Sequence, residues 1–540
     1  MSEAHFDFAT FASLDFSKPD QVLAALGVAP RSTEAHVTPV QVPMRDGIRL
    51  AADHYAPVTG DSAPTILVRS PYGRGFPYDL IVARVLAGAG YHVLLQSCRG
   101  TADSQGELRP MVQEANDGQD TVEWLRSQTW FDGRLGLVGM SYLAHSVYAL
   151  LEEPPAEVKA AVLVVPPYEF NFMRNGAFTL EETLSWSDLV RRRSPGHEDP
   201  LPPDAAQRLP LTAGAELLGP TAPWYAEWIS HPEPTDPYWH DYDHHAVLAR
   251  LTVPTLLIGG TYDAFLPQTV GAFQALQTRG VESALTLGPW VHTDVVGPGA
   301  AAMVEETEAW LNGHLRADAA PEPRPTVRLY VHGAEEWREL SELPKADDEW
   351  DLRLTASGTL SEAGDESTSV FTYDPADPTP TVGGRRVAPD GGARDNAPRE
   401  ERDDVLVFTT DPLPEAVEIH GNPKLTVGLS SNNAHADLHA RLCVVDQNGR
   451  STNFSDAMLR LPVVDEPGAE RSIDLTLDFV ARKINHGERI RLQISGGSFP
   501  EYDRNLGSGE PSATGTTLVS TTHRINHATT RLALPTTQAK

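Results

Sequence analysis

The chain has 540 residues, 40% hydrophobic and 22% charged. That is too long for one core and fits a soluble globular protein of two or three domains rather than a disordered one. A formal net charge of -31 and a pI near 4.9 argue against nucleic acid and against an anionic membrane surface as partners.

There are 2 cysteines, Cys98 and Cys443, far apart in sequence. They offer neither a disulfide framework nor a zinc pattern, which suits a reducing compartment. The first residues, Met1-Ser-Glu-Ala-His-Phe-Asp7, lack the basic start and apolar core of a signal peptide. No run is long enough to span a bilayer. The expected location is the cytoplasm.

Residues 1 to about 35 read as an N-terminal extension in which Phe6, Phe8, Phe11, Leu14 and Phe16 could pack on something. Val40 to Tyr55 places apolar stretches around an Asp46-Gly47 turn, an opening hairpin. Thr65–Arg69 is a strand that runs into the loop Ser70-Pro-Tyr-Gly73. The pattern predicts a helix over about Asp79 to Ala89, a strand Tyr91–Gln96 ending in the loop 97–106, and a helix over Asp117 to Ser127.

The stretch Gly136-Leu-Val-Gly-Met-Ser-Tyr-Leu-Ala-His145 comes next. A short apolar run ends near Gly139, Ser141 stands at the apex, and a buried helix follows to Leu151. Strand, sharp turn and helix with a serine at the turn form the nucleophile elbow of an α/β-hydrolase. Gly139 holds the small position two before the serine. Leu143, two after it, is not glycine, so the literal G-x-S-x-G pattern fails on one side. A serine at such a place can also be no more than a helix cap.

Ala160–Val165 is a further strand. Continuous apolar strands alternating with helices mean a parallel sheet covered on both faces, with ligands beyond the carboxyl ends of the strands. Ser70–Gly73, the 97–106 loop and Ser141 all fall at such ends. From about 167 to 244 the rhythm stops, and a segment rich in Trp, Tyr, Pro and Arg reads as an inserted helical cap. Its Arg191-Arg-Arg193 run is either a binding cluster or, more commonly, a solvated helix face. The rhythm resumes with the strand Val253–Gly260, a helix from Gln268 to Arg279, the strand Ser283–Gly288 and a last helix around Ala309–Leu315.

Pro321–Pro325 reads as a linker. Short alternating strands then run to the end: Val327–Val331, Trp350–Thr355, Asp404–Thr409, Lys424–Leu429, Ala440–Val445, Ile473–Leu477 and Arg489–Ile494. That is an all-β sandwich or jelly roll. Gly383–Arg402 reads as an ordered loop, and there is no internal repeat. The fold class is thus α/β: an α/β-hydrolase domain with an inserted helical cap and a C-terminal all-β jelly-roll domain. The expected boundaries are 1–35 for the extension, 36–166 and 245–319 for the hydrolase, 167–244 for the cap and 320–540 for the jelly roll.

An elbow serine needs a base and an orienting acid, in hydrolases in the chain order Ser, Asp or Glu, His, each at a strand end. Asp263 follows the Val253–Gly260 strand and His292 follows the Ser283–Gly288 strand. His292 would take the Ser141 proton and return it to the leaving group. Asp263 would fix the imidazole tautomer and stabilise its charge. For the tetrahedral oxyanion, the backbone N–H of Tyr142 is the first donor. The loop Ser70–Gly73 should give the second, and there Tyr72 offers a hydroxyl.

These stretches resemble the cocaine esterase and X-prolyl dipeptidyl aminopeptidase family of serine hydrolases. The resemblance rests on Val42–Asp53, Ser70-Pro-Tyr72, Gln96–Glu107, Gly139-Met-Ser-Tyr142, Thr261-Tyr-Asp263 and Gly288–His292. Glu335–Arg338, Arg402–Thr410 and Phe499–Arg504 extend it, so that it covers most of the chain from about residue 40. It implies a hydrolase, a cap and a jelly roll, the triad Ser141, Asp263 and His292, and an oxyanion hole of the Tyr72 hydroxyl and Tyr142 amide. It implies no metal and no organic cofactor. Two departures matter. Thr261 stands where members often carry tryptophan. Ala264-Phe265-Leu266 follows the acid where amino-acid ester hydrolases carry carboxylates, and Phe265 matches the cocaine-esterase type, lining the acyl pocket.

The expected activity is cleavage of a small-molecule carboxylic ester through an acyl-enzyme. The alternatives are an amide-cleaving peptidase or acylase of the X-Pro dipeptidyl peptidase or β-lactam acylase type, a biosynthetic acyltransferase, and a non-catalytic binding protein. A homodimer stays open.

Overall fold

The computed structural model describes residue 15 and residues 18–58, 62–193, 198–316, 324–388 and 390–538. Phe6, Phe8, Phe11, Leu14, Phe16 and residues 321–323 of the expected linker lie outside them. In chain order come α1 (Pro19–Ala25), β1 (Ala35–Pro43), β2 (Arg49–Pro57), β3 (Ala63–Ser70) and a helical stretch. That stretch starts as a π-helical turn over Tyr78–Arg84 and continues as α2 (Val85–Gly88). Then follow β4 (His92–Ser97), α3 (Glu114–Arg126), β5 (Phe131–Met140), α4 (Tyr142–Leu150) and β6 (Val158–Val164). The expected cap holds the small hairpin β7 (Met173–Arg174) and β8 (Ala177–Phe178) with α5 (Leu180–Arg191), α6 (Thr212–Leu218) and α7 (Pro223–Ser230). After it come β9 (Thr255–Tyr262), α8 (Leu266–Thr278), β10 (Ser283–Val291), α9 (Ala300–Leu315), β11 (Val327–Val331) and β12 (Glu336–Leu340).

The chain divides into two compact units. The first takes residues 1–170, 240–260 and 268–328; the second takes 171–239, 261–267 and 329–540. The cap segment therefore belongs to the same unit as the C-terminal β region. So do the seven residues around Asp263. The opening of the strand Val327–Val331, expected in the C-terminal domain, belongs to the first unit, where Leu285 N–H donates to the Thr326 carbonyl at 2.8 Å.

The first unit is organised by a mixed sheet in the order β1-β2-β4-β3-β5-β6-β9-β10. The hairpin β1–β2 is antiparallel with Val42 opposite Leu50, and β2 pairs antiparallel with β4. From β4 through β3, β5 and β6 to β9 all pairings are parallel. Alternation along the strands separates two faces. Ile66 and Val68 of β3 join a core with Val22 and Leu23 of α1, Ile81 and Val85 of the π/α2 stretch, and Met303, Val304 and Leu311 of α9. Arg69, pointing the other way, donates to the Glu114 carbonyl on α3 at 2.7 Å. β3, β6 and β9 are buried along their whole length except at Lys159 because both faces are covered.

In the second unit, two antiparallel sheets share one apolar core. One holds β13 (Asp348–Leu354), β14 (Leu360–Ser361), β15 (Thr368–Tyr373), β17 (Val417–Gly421), β18 (Lys424–Ser431), β21 (Arg471–Thr476), β22 (Val480–Ile484) and β24 (Thr521–Gln538). The other is ordered β16 (Val405–Thr409), β23 (Arg489–Ser495), β19 (Asp437–Val445), β20 (Ser451–Arg460). Leu425, Val427, Leu532 and Leu534 from the first sheet meet Leu438, Leu442, Leu492 and Ile494 from the second. This is the all-β sandwich that the short alternating runs predict. In the cap segment, Trp228 lies on Phe172 with ring centroids 4.4 Å apart, and Trp224 donates its indole N–H to Ser187 at 3.0 Å.

Candidate active site

β5 ends at Met140 and α4 begins at Tyr142, so Ser141 alone makes the reversal from strand to helix. It does so at φ 57° and ψ -125°, a conformation that costs a non-glycine residue roughly 1–3 kcal/mol and persists only where its surroundings impose it. Those surroundings are visible. Ser141 N–H donates to the Val164 carbonyl of β6 at 2.9 Å, and the Ser141 carbonyl accepts from Ala144 and His145 at 2.8 and 3.1 Å. Gly139 must lack a side chain, because a Cβ there would stand 2.3 Å from the Leu143 carbonyl oxygen. Leu143, by contrast, is buried in the core, which explains why the second small position of the pattern can be filled.

His292 directly follows β10, which runs on through Pro289-Trp-Val291 rather than ending at Gly288. It opens a short 3-10 helix whose Asp294 carboxylate accepts Val291 N–H at 3.0 Å. Its Nε2 lies 2.8 Å from Ser141 Oγ, the hydrogen-bond distance that a base and its nucleophile would need. His292 is buried and Ser141 half-buried.

Asp263 directly follows β9 and is fully buried. Its Oδ2 accepts the Phe265 N–H at 3.2 Å, and its carbonyl accepts Leu266 N–H at 3.1 Å, so the acid heads the turn into α8. Thr261, two residues before Asp263, hydrogen-bonds through Oγ1 to His332 Nε2 at 2.7 Å. Phe265 is buried.

Tyr72 sits in the loop after β3, its N–H on Ser70 Oγ at 3.1 Å. Its ring stacks on Tyr78 (centroids 6.1 Å apart) and meets Tyr142 edge-on at 6.4 Å, which puts it beside the elbow. Arg74 pins this loop by donating to Asp53 at 3.0 Å, Ser97 at 2.8 Å and Asp103 at 3.1 Å. The last two belong to the 97–106 loop, so the two strand-end loops are tied together.

The Tyr142 side chain has a role that its backbone amide alone does not suggest. Its hydroxyl accepts the Met111 N–H at 2.7 Å and donates to Glu114 Oε1 at 2.9 Å. Burial, then the Glu114 charge, push the phenol well above its ordinary value and keep it a donor. Glu114 is itself paired with buried Arg69 at 2.9 Å. Neither partner could be found from spacing, since each lies about 30 residues or more from the group it serves.

Several charged residues of the cap are paired with one another or with the β region. Glu181 meets Arg386, Glu182 meets Arg174 at 3.4 Å, and Asp188 takes both Arg191 at 2.6 Å and Arg192 at 3.0 Å. Arg191 and Arg192 are thus held by their own helix rather than offered as an anion cluster. Both cysteines are free and buried.

Residues 46–294 match the X-Pro dipeptidyl-peptidase (S15 family) signature, and residues 319–533 match the X-Pro dipeptidyl-peptidase C-terminal non-catalytic domain. The chain is 31% identical over 537 residues to cocaine esterase of Rhodococcus sp. (strain MB1 Bresler), covering 87% of this chain and 92% of that one. Among solved structures it superposes on an α-amino acid ester hydrolase with a TM-score of 0.84 at 23% identity, covering 94% of this chain and 98% of that one. An aminopeptidase from a marine sediment archaeon, Thaumarchaeota archaeon, gives 0.83 at 21% identity, covering 93% and 96%. At these identities the two structures speak for the fold: an α/β-hydrolase with a C-terminal all-β domain.

Proposed function

The chain belongs to the X-Pro dipeptidyl-peptidase (S15) family of serine hydrolases and is a serine ester hydrolase, and on that premise we propose that Ser141, His292 and Asp263 carry the reaction. The observation that carries this reading is the 2.8 Å contact between His292 Nε2 and an elbow serine held at positive φ.

Ser141 Oγ attacks the ester carbonyl carbon as His292 Nε2 takes its proton. The negative charge on the carbonyl oxygen is met by the Tyr72 hydroxyl and the Tyr142 N–H. Collapse breaks the ester C–O bond, and His292 protonates the departing alkoxide. A water, deprotonated by His292, then attacks the acyl carbon; Ser141 leaves with the returned proton and the acid is released. Asp263 holds the imidazole in the tautomer that leaves Nε2 free to accept. It follows a strand that neighbours the one leading to His292 in the sheet order. The free, buried cysteines suit a cytoplasmic protein. We read the C-terminal sandwich as a jelly roll.

The substrate class follows from the residues after the acid. Ala264, Phe265 and Leu266 are apolar and buried, and three acidic residues of the cap, Glu181, Glu182 and Asp188, are each paired with arginine. A free ammonium would lack a carboxylate there, whereas an aromatic or aliphatic acyl group gains about 1.5–3 kcal/mol by burial against Phe265. Benzoyl and short aliphatic esters should show higher kcat/KM than the matched phenylglycine methyl ester at neutral pH, and Phe265→Ala should erode that preference. A tenfold advantage for the amino ester would instead make this an amino-acid ester hydrolase, and turnover confined to X-Pro anilides would make it a peptidase.

A further inference from the structure

The residues that carry the acid are held by the β domain whose family description calls it non-catalytic. Within the second unit, Thr261 bonds His332, the Tyr262 hydroxyl donates to the Asn453 carbonyl at 3.3 Å, and Arg385 Nη1 donates to the Ala264 carbonyl at 3.0 Å. The Arg385 side chain is only 12% exposed, and its Nε pairs with Asp478, whose side chain is 8% exposed.

The Ala264 carbonyl and the Phe265 N–H are the two ends of one planar peptide. Arg385 grips the carbonyl end. The Asp263 carboxylate accepts from the N–H end at 3.2 Å. A cation on the carbonyl also polarises the peptide and makes its N–H a stronger donor. We propose that Arg385 is a positioning residue for ester hydrolysis, fixing the Asp263 carboxylate through the Ala264–Phe265 peptide.

The proposal rests on Asp263 being the catalytic acid. Arg385 touches neither substrate nor His292 in this scheme. Its effect falls on kcat, because a tilted carboxylate weakens the imidazolium of the transition state and leaves substrate binding alone. Arg385→Met leaves the peptide free to rotate. Arg385→Lys keeps the charge but offers a point donor in place of the planar fork that spans Asp478 and the carbonyl, so it should restore part of the rate.

The test is a double-mutant cycle on the full chain with p-nitrophenyl acetate, using Arg385→Met, Arg385→Lys, Asp263→Asn and the double variants. Folding is checked by Tm. Arg385→Met should lower kcat roughly 10- to 100-fold, with KM within about twofold of wild type. Arg385→Lys should fall between the two. In the Asp263→Asn background, Arg385→Met should cost no more than about twofold, since its route of action is already gone. A kcat for Arg385→Met within about twofold of wild type overturns the proposal, as does an equal fall in both backgrounds. If Arg385→Met does not fold, the same two criteria apply to Arg385→Lys. Asp263→Asn at the wild-type rate removes Asp263 from the mechanism and this proposal with it. A dead Asp263→Asn beside an unimpaired Arg385→Met removes Arg385 alone.

Discussion

Replacing Gly139 by alanine tests whether the elbow works by close approach of strand and helix. The added Cβ would lie 2.3 Å from the Leu143 carbonyl oxygen, 2.5 Å from its carbon and 2.6 Å from Ala144 N. Non-bonded carbon contacts relax to about 3.5–4.0 Å, so the backbones must part by roughly 1 Å. Every atom met is backbone, so no side chain can swing aside. The displaced turn is the one that holds Ser141 at φ 57° and 2.8 Å from His292. A misplacement of that size costs about 10²-fold in rate, and the overpacking costs about 1–3 kcal/mol of stability. Gly136, three residues earlier on β5, is the control. Its Cβ would meet only the side-chain tips of Ile66, Leu315 and Leu311, at 2.8, 2.8 and 3.0 Å. Gly136→Ala should lower Tm while leaving kcat nearly intact. The assay is kcat on a p-nitrophenyl ester beside thermal unfolding. If Gly139→Ala folds and turns over within about twofold of wild type, strand–helix approach does not set the geometry of Ser141.

Tyr72→Phe should lower kcat by roughly 10² to 10³ with little change in KM, the usual loss for one oxyanion donor; a change confined to KM would make Tyr72 a pocket wall. The pH dependence of stability has a definite sign. Burial, then Arg471, pushes His523 down to about 4, and burial, then His92, does the same to His54, from 6.5 when unfolded. Both are neutral in the fold, so their contribution is complete above pH 6.5 and is lost as pH falls toward 4, where the unfolded chain binds protons that the fold refuses. Urea midpoints should therefore decline across that window, and His523→Gln should flatten the slope. A midpoint that rises as pH falls from 6.5 to 4 would contradict this.

The hydrolase part was legible because its chemistry sits at strand ends. An apolar strand, a single-residue turn and a buried helix single out Ser141, and the ends of two later strands, β9 and β10, offer Asp263 and His292 as its candidate partners. What the sequence hides is pairing between distant residues. β20 escapes a hydrophobic reading because Asn453 and Ser455, both buried, stand where apolar residues would; Asn453 bonds the Gly392 carbonyl and Ser455 the Asp478 carbonyl. β24 is the long strand that serves β13, β15, β17 and β18, yet its stretch Thr521-Thr-His-Arg-Ile-Asn-His527 shows one apolar residue in seven. Buried His523 takes a core place there, hydrogen-bonded to Ser431 at 2.8 Å. The attachment of residues 261–267 to the second unit is likewise invisible in a segment that continues a strand of the first.

The central claim is that Ser141 is the nucleophile of an acyl-enzyme. Intact-mass measurement after treatment with a fluorophosphonate probe, followed by peptide mapping, addresses it directly. One adduct per chain on the peptide containing Ser141, lost in Ser141→Ala together with several orders of magnitude of esterase activity, is the predicted result. An unlabelled wild type, a label on another serine, or a Ser141→Ala variant with near wild-type turnover would contradict it.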